Sequence, residues 1–226
     1  MDNFAAAPVE QTDQDFERFI CSACHNLRES LREIRLCAEL MPDSGCAPGE
    51  GIEAQIRAME SVLDGMVEYS LACAGESARS RVDMQTVLSQ VLFQLDKQIQ
   101  ESAAVVTHDP LPAVMGDSSQ LATVLRHLLE NALKFRGADV PRIHLSARRV
   151  GNQWEVSVRD NGPGIEAPYR ERVFLPFKRL HGRNYAGNGM GLAISKKLIE
   201  RHHGKIRVES EPGGGATFVF SLPASN

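Results

Sequence analysis

Four short motifs, in one order between Leu128 and Thr217, carry the residue types that a magnesium-bound nucleoside triphosphate needs. They read Glu130-Asn131-Ala132-Leu133-Lys134, Asp160-Asn161-Gly162-Pro163-Gly164, Phe174-Leu175-Pro176-Phe177 and Gly187-Asn188-Gly189-Met190-Gly191. The amide oxygen of Asn131 is a hard ligand suited to Mg2+, which keeps most of its waters and takes few protein ligands. Lys134, one turn later, is a point charge for phosphate oxygens. The Asp160 carboxylate is acceptor-only, so at a strand end it can receive a hydrogen bond from an exocyclic amine such as that of adenine. Gly162 and Gly164 allow a close backbone approach to a base. Gly187, Gly189 and Gly191 precede a helix, where free amides and the helix dipole favour an anion. Each motif alone has a plainer reading: a solvated helix residue, a turn, a pair of core phenylalanines, a loop. The glycine run follows no strand of a βαβ unit, so a dinucleotide fold is not supported. The polar segment between Lys178 and Ala186, with Arg179, His181 and Arg183, reads as a lid over a triphosphate.

Two kinds of element must position these residues. Phe16, Ile20, Ala23, Leu27, Leu31, Ile34, Ala38 and Met41 recur at spacings of three and four, one face of a helix. Pro42, Gly45, Pro48, Gly49 and Gly51 break that pattern. Ile52, Ile56, Met59, Leu63, Met66, Ser70 and Cys73 then form a heptad stripe on a second helix. Such a hairpin leaves much of both stripes wet, and pairing two copies into a four-helix bundle buries them. A homodimer is therefore expected. After a small, polar linker at 76–81 the texture changes. Segments 82–103, 118–135 and 191–202 read as helices. Ile143, Leu145 and Ala147, then Trp154, Val156 and Val158, then Phe218, Phe220 and Leu222 alternate with polar residues as half-buried strands do. The expected fold is an α-helical hairpin over residues 1–75, followed over 82–226 by an α/β sandwich with a mixed sheet.

Composition narrows the class. Apolar residues make up 42% and charged residues 24% of 226, ordinary for a globular protein. A formal charge of −4 gives no basic excess for nucleic acid. No apolar run approaches the roughly 20 residues of a membrane helix. The acidic start lacks the pattern of a signal peptide, and five cysteines read as reduced thiols. A cytoplasmic location is expected.

The ordered motifs resemble the ATP-binding domain of sensor histidine kinases, within the GHKL ATPase group. Asn131 falls in the N box, 160–164 in the G1 box, 174–177 in the F box and 187–191 in the G2 box. The runs Asn131-Ala132-Leu133-Lys134-Phe135-Arg136 and Phe177-Lys178-Arg179-Leu180-His181-Gly182-Arg183 are similar to the phytochrome-like subgroup. His25-Asn26-Leu27-Arg28-Glu29-Ser30-Leu31-Arg32 resembles the H box of the dimerisation and histidine phosphotransfer domain. The resemblance implies a bacterial two-component kinase. His25 would attack the γ-phosphate of ATP and pass the phosphoryl group to an aspartate of a response-regulator receiver, with an upstream sensor or partner supplying the signal. Arg28 or Arg32 would steer phosphate. It implies Mg2+ on Asn131, adenine on Asp160, and an ATP site completed by Lys134, Gly162, Gly164, Phe177, Arg183, Gly187, Gly189, Gly191 and Thr217. His25 lies between stripe residues Ala23 and Leu27, so its ring is expected to face outward.

The chain departs from the family at several positions. Asn26 stands where the family has Asp or Glu. Its amide oxygen accepts a hydrogen bond but stabilises a cationic ring less well, so slow autophosphorylation is expected. Ser30 replaces a proline. His127, one turn before Asn131, stands where many members have a second asparagine, and a neutral imidazole is a possible ligand for Mg2+, which prefers oxygen. These changes keep an alternative in view: a weakly active or inactive dimeric adaptor that binds receiver domains. Cys21-Ser22-Ala23-Cys24-His25 also matches the C-x-x-C-H haem-attachment pattern. The H box accounts for the same histidine, and the cysteines read as free thiols. His108, His144, His202 and His203 read as surface or strand residues.

Overall fold

The computed structural model describes residues 19–20, 23, 27–28, 31–32, 34, 49–73, 79–137, 139–179 and 188–225. The chain divides into two compact units, Met1–Val67 and Glu68–Asn226. Each is described by itself.

In the first unit, the described residues between 19 and 34 are helical. Phe19 and Ala23 are buried, whereas Leu31 is exposed. After the Pro/Gly-rich break, helix α1 spans Gly49–Cys73. Val62 is buried, but Ile56, Leu63 and Val67 are each close to half exposed or more. None of the stripe residues Ile56, Met59, Leu63, Met66, Ser70 and Cys73 is buried in the single chain; the buried positions of α1 among the described residues are Val62, Gly65 and Ala72, beside the predicted stripe rather than on it. The last turns of α1, Glu68–Cys73, belong to the second unit.

The second unit runs β1 (Ser80–Asp83), α2 (Met84–Ser102), β2 (Val105–His108), β3 (Ala113–Gly116), α3 (Ser118–Lys134), β4 (Arg142–Val150), β5 (Gln153–Asp160), two short 3-10 turns, α4 (Gly191–Arg201), β6 (Ile206–Ser210) and β7 (Ala216–Pro223). The main sheet has the order β2-β4-β5-β7-β6. β2 pairs parallel with β4 and the other pairs are antiparallel, so the sheet is mixed. β1 and β3 form a separate antiparallel ribbon. Period-two patterning points Ile143, Leu145, Val156, Val158, Phe218 and Phe220 to one buried face. Helices α2, α3 and α4 contribute Leu88, Leu95, Leu125, Leu128, Ile194 and Ile199 to the same core. The opposite face is polar. There Glu155 bridges Arg148 at 2.6 Å and Arg207 at 2.8 Å, and these exposed cations hold its carboxyl below the usual range.

Two details differ from the expectation. The helix read as starting at Val82 begins at Met84, after a strand that the local pattern hides. Asp83 stops the strand and caps the helix, accepting from the Gln85 amide at 3.1 Å and the Thr86 hydroxyl at 2.7 Å. His202, read as a surface or strand residue, is fully buried. Its Nδ1 donates to the Leu198 carbonyl at 2.7 Å, and Nε2 accepts from the Asp117 amide at 2.9 Å. That amide opens the loop that caps α3, so the imidazole ties the end of α4 to the start of α3. Burial pushes the ring's pKa down, and the neutral tautomer fits both contacts.

Candidate nucleotide site

Asp160 closes β5 beside β7, and its Oδ1 accepts from two backbone amides, Gly162 at 2.8 Å and Ala216 at 3.1 Å. Burial raises the carboxyl's pKa, more than those two amides lower it. The carboxylate is therefore fixed in direction and poorly solvated, a good acceptor for one further donor. The glycines beside it are dictated by backbone. A side chain at Gly162 would strike the Phe135 carbonyl, where α3 ends. Gly164 has φ +78°, and a Cβ there would run into the Glu211 carbonyl. Asn161 secures the turn from the other side, accepting from the Arg142 amide at 2.8 Å and donating to the Val140 carbonyl at 3.0 Å. Thr217 lies on β7 opposite Arg159, next to the Ala216 amide that holds Asp160.

Helix α3 carries Asn131 and Lys134 on its last turns. Its side of the site is built from an N-cap by Asp117, whose Oδ1 accepts from Ser119 and Gln120 amides, and from a buried Leu121–Leu125–Leu128 stripe. Asn131 is half-buried. Lys134 is half-buried as well, and its Nζ stands 4.6 Å over the Phe135 ring. Burial, then the charge of Arg179, draws its pKa down, which places two cations in one neighbourhood. His127 is 6% exposed, and its ring packs on Gly191: a Cβ there would lie 3.2 Å from Cγ.

Gly191 is the first residue of α4, so the N box and the G2 box meet at this imidazole. Gly189, with φ +73°, lies against the backbone of Phe177 and Lys178, which joins the F box to the same end of α4. Phe174 is core, edge-on to Phe218 at 6.3 Å. The structure thus gathers Asn131, Lys134, His127, Asp160, Gly162, Gly164, Phe177, Gly189, Gly191 and Thr217 around one end of the sandwich. Gly187, Arg183, His25 and Asn26 lie outside the described residues.

Sequence reasoning missed a cluster beside His127. Glu68 Oε1 sits 3.0 Å from Arg126 Nη2 and 3.5 Å from His127 Nε2. Arg126 also reaches Glu130 at 3.3 Å, one turn along α3. The His127 hydrogen bond, ahead of Arg126, holds the Glu68 carboxyl below its ordinary range. Glu68 is 58 residues from Arg126, and no local pattern couples them. His127 Nδ1 is buried and has no hydrogen-bond partner among the described residues. Asn131, one turn further along α3, offers an amide oxygen suited to a divalent ion. Among the described residues no three His, Cys, Asp or Glu converge as a metal cage, so phosphate oxygens and water would complete such an ion's shell.

Comparison with known proteins agrees with this geometry. Residues 116–226 match the family described as histidine kinase-, DNA gyrase B-, and HSP90-like ATPase. Cyanobacterial phytochrome A of Nostoc sp. is 38% identical over 228 residues, 96% of this chain and 30% of that protein. The chain therefore spans about a third of the length of that relative. Among solved structures, full-length ShkA in complex with AMPPNP aligns with a TM-score of 0.66 at 24% identity, covering 98% of this chain and 47% of that one. Histidine kinase ThkA in complex with response regulator protein TrrA aligns with a TM-score of 0.74 at 21% identity, covering 96% and 66%. At these identities the two structures show the fold. No described helix is long and apolar enough to cross a membrane.

Proposed function

Because this chain belongs to the phytochrome-like sensor histidine kinases, with their ATPase family matched over residues 116–226, we propose that it is an ATP-dependent protein histidine kinase that phosphorylates its own His25 and transfers the phosphoryl group to an aspartate of a response regulator. The observation that carries this reading is Asp160: a half-buried carboxylate aimed by two backbone amides, among glycines that leave a base room to approach. An adaptor with a vestigial pocket has no use for that arrangement.

In the proposed reaction, Asp160 receives the adenine amine. Asn131 holds the divalent ion, and Lys134 with Arg183 neutralises phosphate oxygens. The amides of Gly189 and Gly191 at the start of α4, with that of Gly187 before them in sequence, take phosphate charge, while Gly162, Gly164, Phe177 and Thr217 shape the adenine side of the site. Mg2+ bound there supplies charge neutralisation at the phosphates. Phosphoryl transfer asks mainly for positioning and such neutralisation. The lone pair of one His25 ring nitrogen forms the new N–P bond as the bond to ADP breaks. The other nitrogen donates to Asn26, which fixes the tautomer. A carboxylate oxygen of the receiver then takes the phosphoryl group and returns a neutral ring. Residues 1–75 serve as dimerisation and phosphotransfer domain, 76–81 as linker and 82–226 as kinase domain. The half-exposed Ile56 and Leu63 support a homodimer. The cytoplasm is the proposed site of the reaction.

The test is incubation with γ-labelled ATP. Acid-labile, base-stable label on the wild type, absent from His25→Ala and from Asp160→Ala, is the expected result. Label that persists in His25→Ala overturns the assignment of the nucleophile. Asn26→Asp should raise the rate of labelling, by about tenfold or more if proton handling limits the step.

A further inference from the structure

We propose that Ser210 is a positioning residue for base recognition: its hydroxyl clasps the turn between β6 and β7 to the loop after β5, and through that clasp it holds the Ala216 amide that aims Asp160. The inference rests on the nucleotide reading above and adds the residue on which its choice of base depends.

Ser210 is the last residue of β6 and the register partner of Ala216, the first residue of β7. A serine hydroxyl has one proton to give and lone pairs with which to accept. The Ile165 amide can only donate, and it meets Oγ at 2.8 Å. The Gly215 carbonyl can only accept, and it lies 2.6 Å away. The proton therefore points at Gly215, and main chain fills both roles of the hydroxyl. Gly215 is 5 residues along the chain and Ile165 is 45 residues back, so one small side chain joins two separate segments.

Both partners border the carboxylate. Gly215 immediately precedes Ala216, whose amide donates to Asp160 Oδ1 at 3.1 Å. Gly215 has φ +77° and lies so close to the Asp160 carbonyl that a Cβ would collide with it. Ile165 follows Gly164, which packs on the Glu211 carbonyl of the same turn. The Gly213 amide adds a tie to the Pro163 carbonyl at 2.7 Å. Three successive glycines, 213–215, give this turn little stiffness of its own. Loss of the hydroxyl leaves the Gly215 carbonyl and the Ile165 amide each short of a partner at a part-buried joint. Hydrogen bonds weaken steeply with misalignment, so a shift of the Ala216 amide turns the carboxylate that receives the base. The groups assigned to phosphate stand elsewhere, Lys134 on α3 and Gly191 on α4. The effect of Ser210 therefore falls on the base.

The test is calorimetric titration of the full chain, in Mg2+, with ATP and with purine riboside triphosphate, which lacks only the exocyclic amine. Each variant is first shown to be folded by circular dichroism. The wild type should prefer ATP by about tenfold or more, the worth of a hydrogen bond to a charged acceptor. Ser210→Ala should erase most of that preference, weakening ATP about tenfold and the analogue about twofold or less. Ser210→Thr, which keeps the hydroxyl, should retain the preference. Ser210→Cys is close in size and bonds only weakly, and it reads the same loss if the alanine variant folds poorly. Equal weakening of both triphosphates, an unchanged preference, or a threonine variant as defective as alanine overturns the positioning role and leaves the nucleotide reading standing. A wild type that binds both triphosphates alike removes the adenine contact of Asp160 and the proposal with it. A wild type that binds neither overturns the nucleotide reading as well.

Discussion

The proposed adenine end and the proposed ion end of the candidate site lie in the same unit yet are built on different principles. At the adenine end, Asp160 is aimed by backbone amides, and the surrounding glycines are set by carbonyls of Phe135 and Glu211 that leave no room for a Cβ. Most constraints there come from main chain, with the Asn161 side chain bonding only to backbone atoms. At the ion end, the position of His127 depends on side chains: Glu68, Arg126 and Glu130, each about a third exposed. Backbone constraints cannot be altered one at a time without a large penalty. Side-chain pairs in partial contact with water can be exchanged at small cost to the fold.

Substitutions at the two ends should separate accordingly. The largest effect is expected at Gly164→Ala, where positive φ and the Glu211 carbonyl both oppose a side chain. A loss of about 3 kcal/mol or more is expected in chemical denaturation, together with loss of nucleotide binding. A variant of wild-type stability would break the claim that backbone governs this end. Next comes His202→Ala, which removes an acceptor from the Asp117 amide inside the core and should lower stability by about 2–4 kcal/mol. The same residue predicts a pH effect. Its folded pKa is depressed by burial, so its contribution is complete above the unfolded value of about 6.5, begins to fall below it and is lost as pH drops through the lower folded value. Denaturation midpoints compared at pH 7.5 and 5.5 test this, and in His202→Gln the histidine's share of the pH dependence should vanish.

Asp160→Asn should leave the fold nearly intact and weaken adenine nucleotide binding roughly 10- to 100-fold, the worth of a hydrogen bond to a charged acceptor. Calorimetric titration reads it directly. Because the folded pKa of Asp160 is raised, binding that needs the carboxylate should begin to fade at a higher pH than for an ordinary aspartate. The group itself opposes folding less as pH falls through that raised value. The smallest stability change is expected at Arg126→Gln, within about 1 kcal/mol. A larger loss there would mean that the ion end is as constrained as the adenine end, and would erase the contrast.

Much of this was readable from residue types alone. Strands of alternating Val, Phe and Leu and the helical segments 118–135 and 191–202 are local signals, and the mixed sandwich follows from them. The four motifs name the pocket because each answers a separate need of one ligand. What local pattern hides is the short strand Ser80–Asp83, whose partner is Ala113–Gly116, and the buried role of His202. A four-residue strand has too few alternations to register, and a histidine's burial depends on which amide it meets across the fold.

Residue identity and spacing determined which chemistry the chain carries: a carboxylate at a strand end, an amide and a lysine one turn apart, glycines before a helix. Tertiary structure decided which of those groups are aimed, desolvated or paired. Glu68 meets His127 across 59 positions by the numbering, and Gly191 meets the same ring because two helices pack side by side. Hydrogen bonds and charges act over a few ångströms of space, and only the folded chain sets those distances.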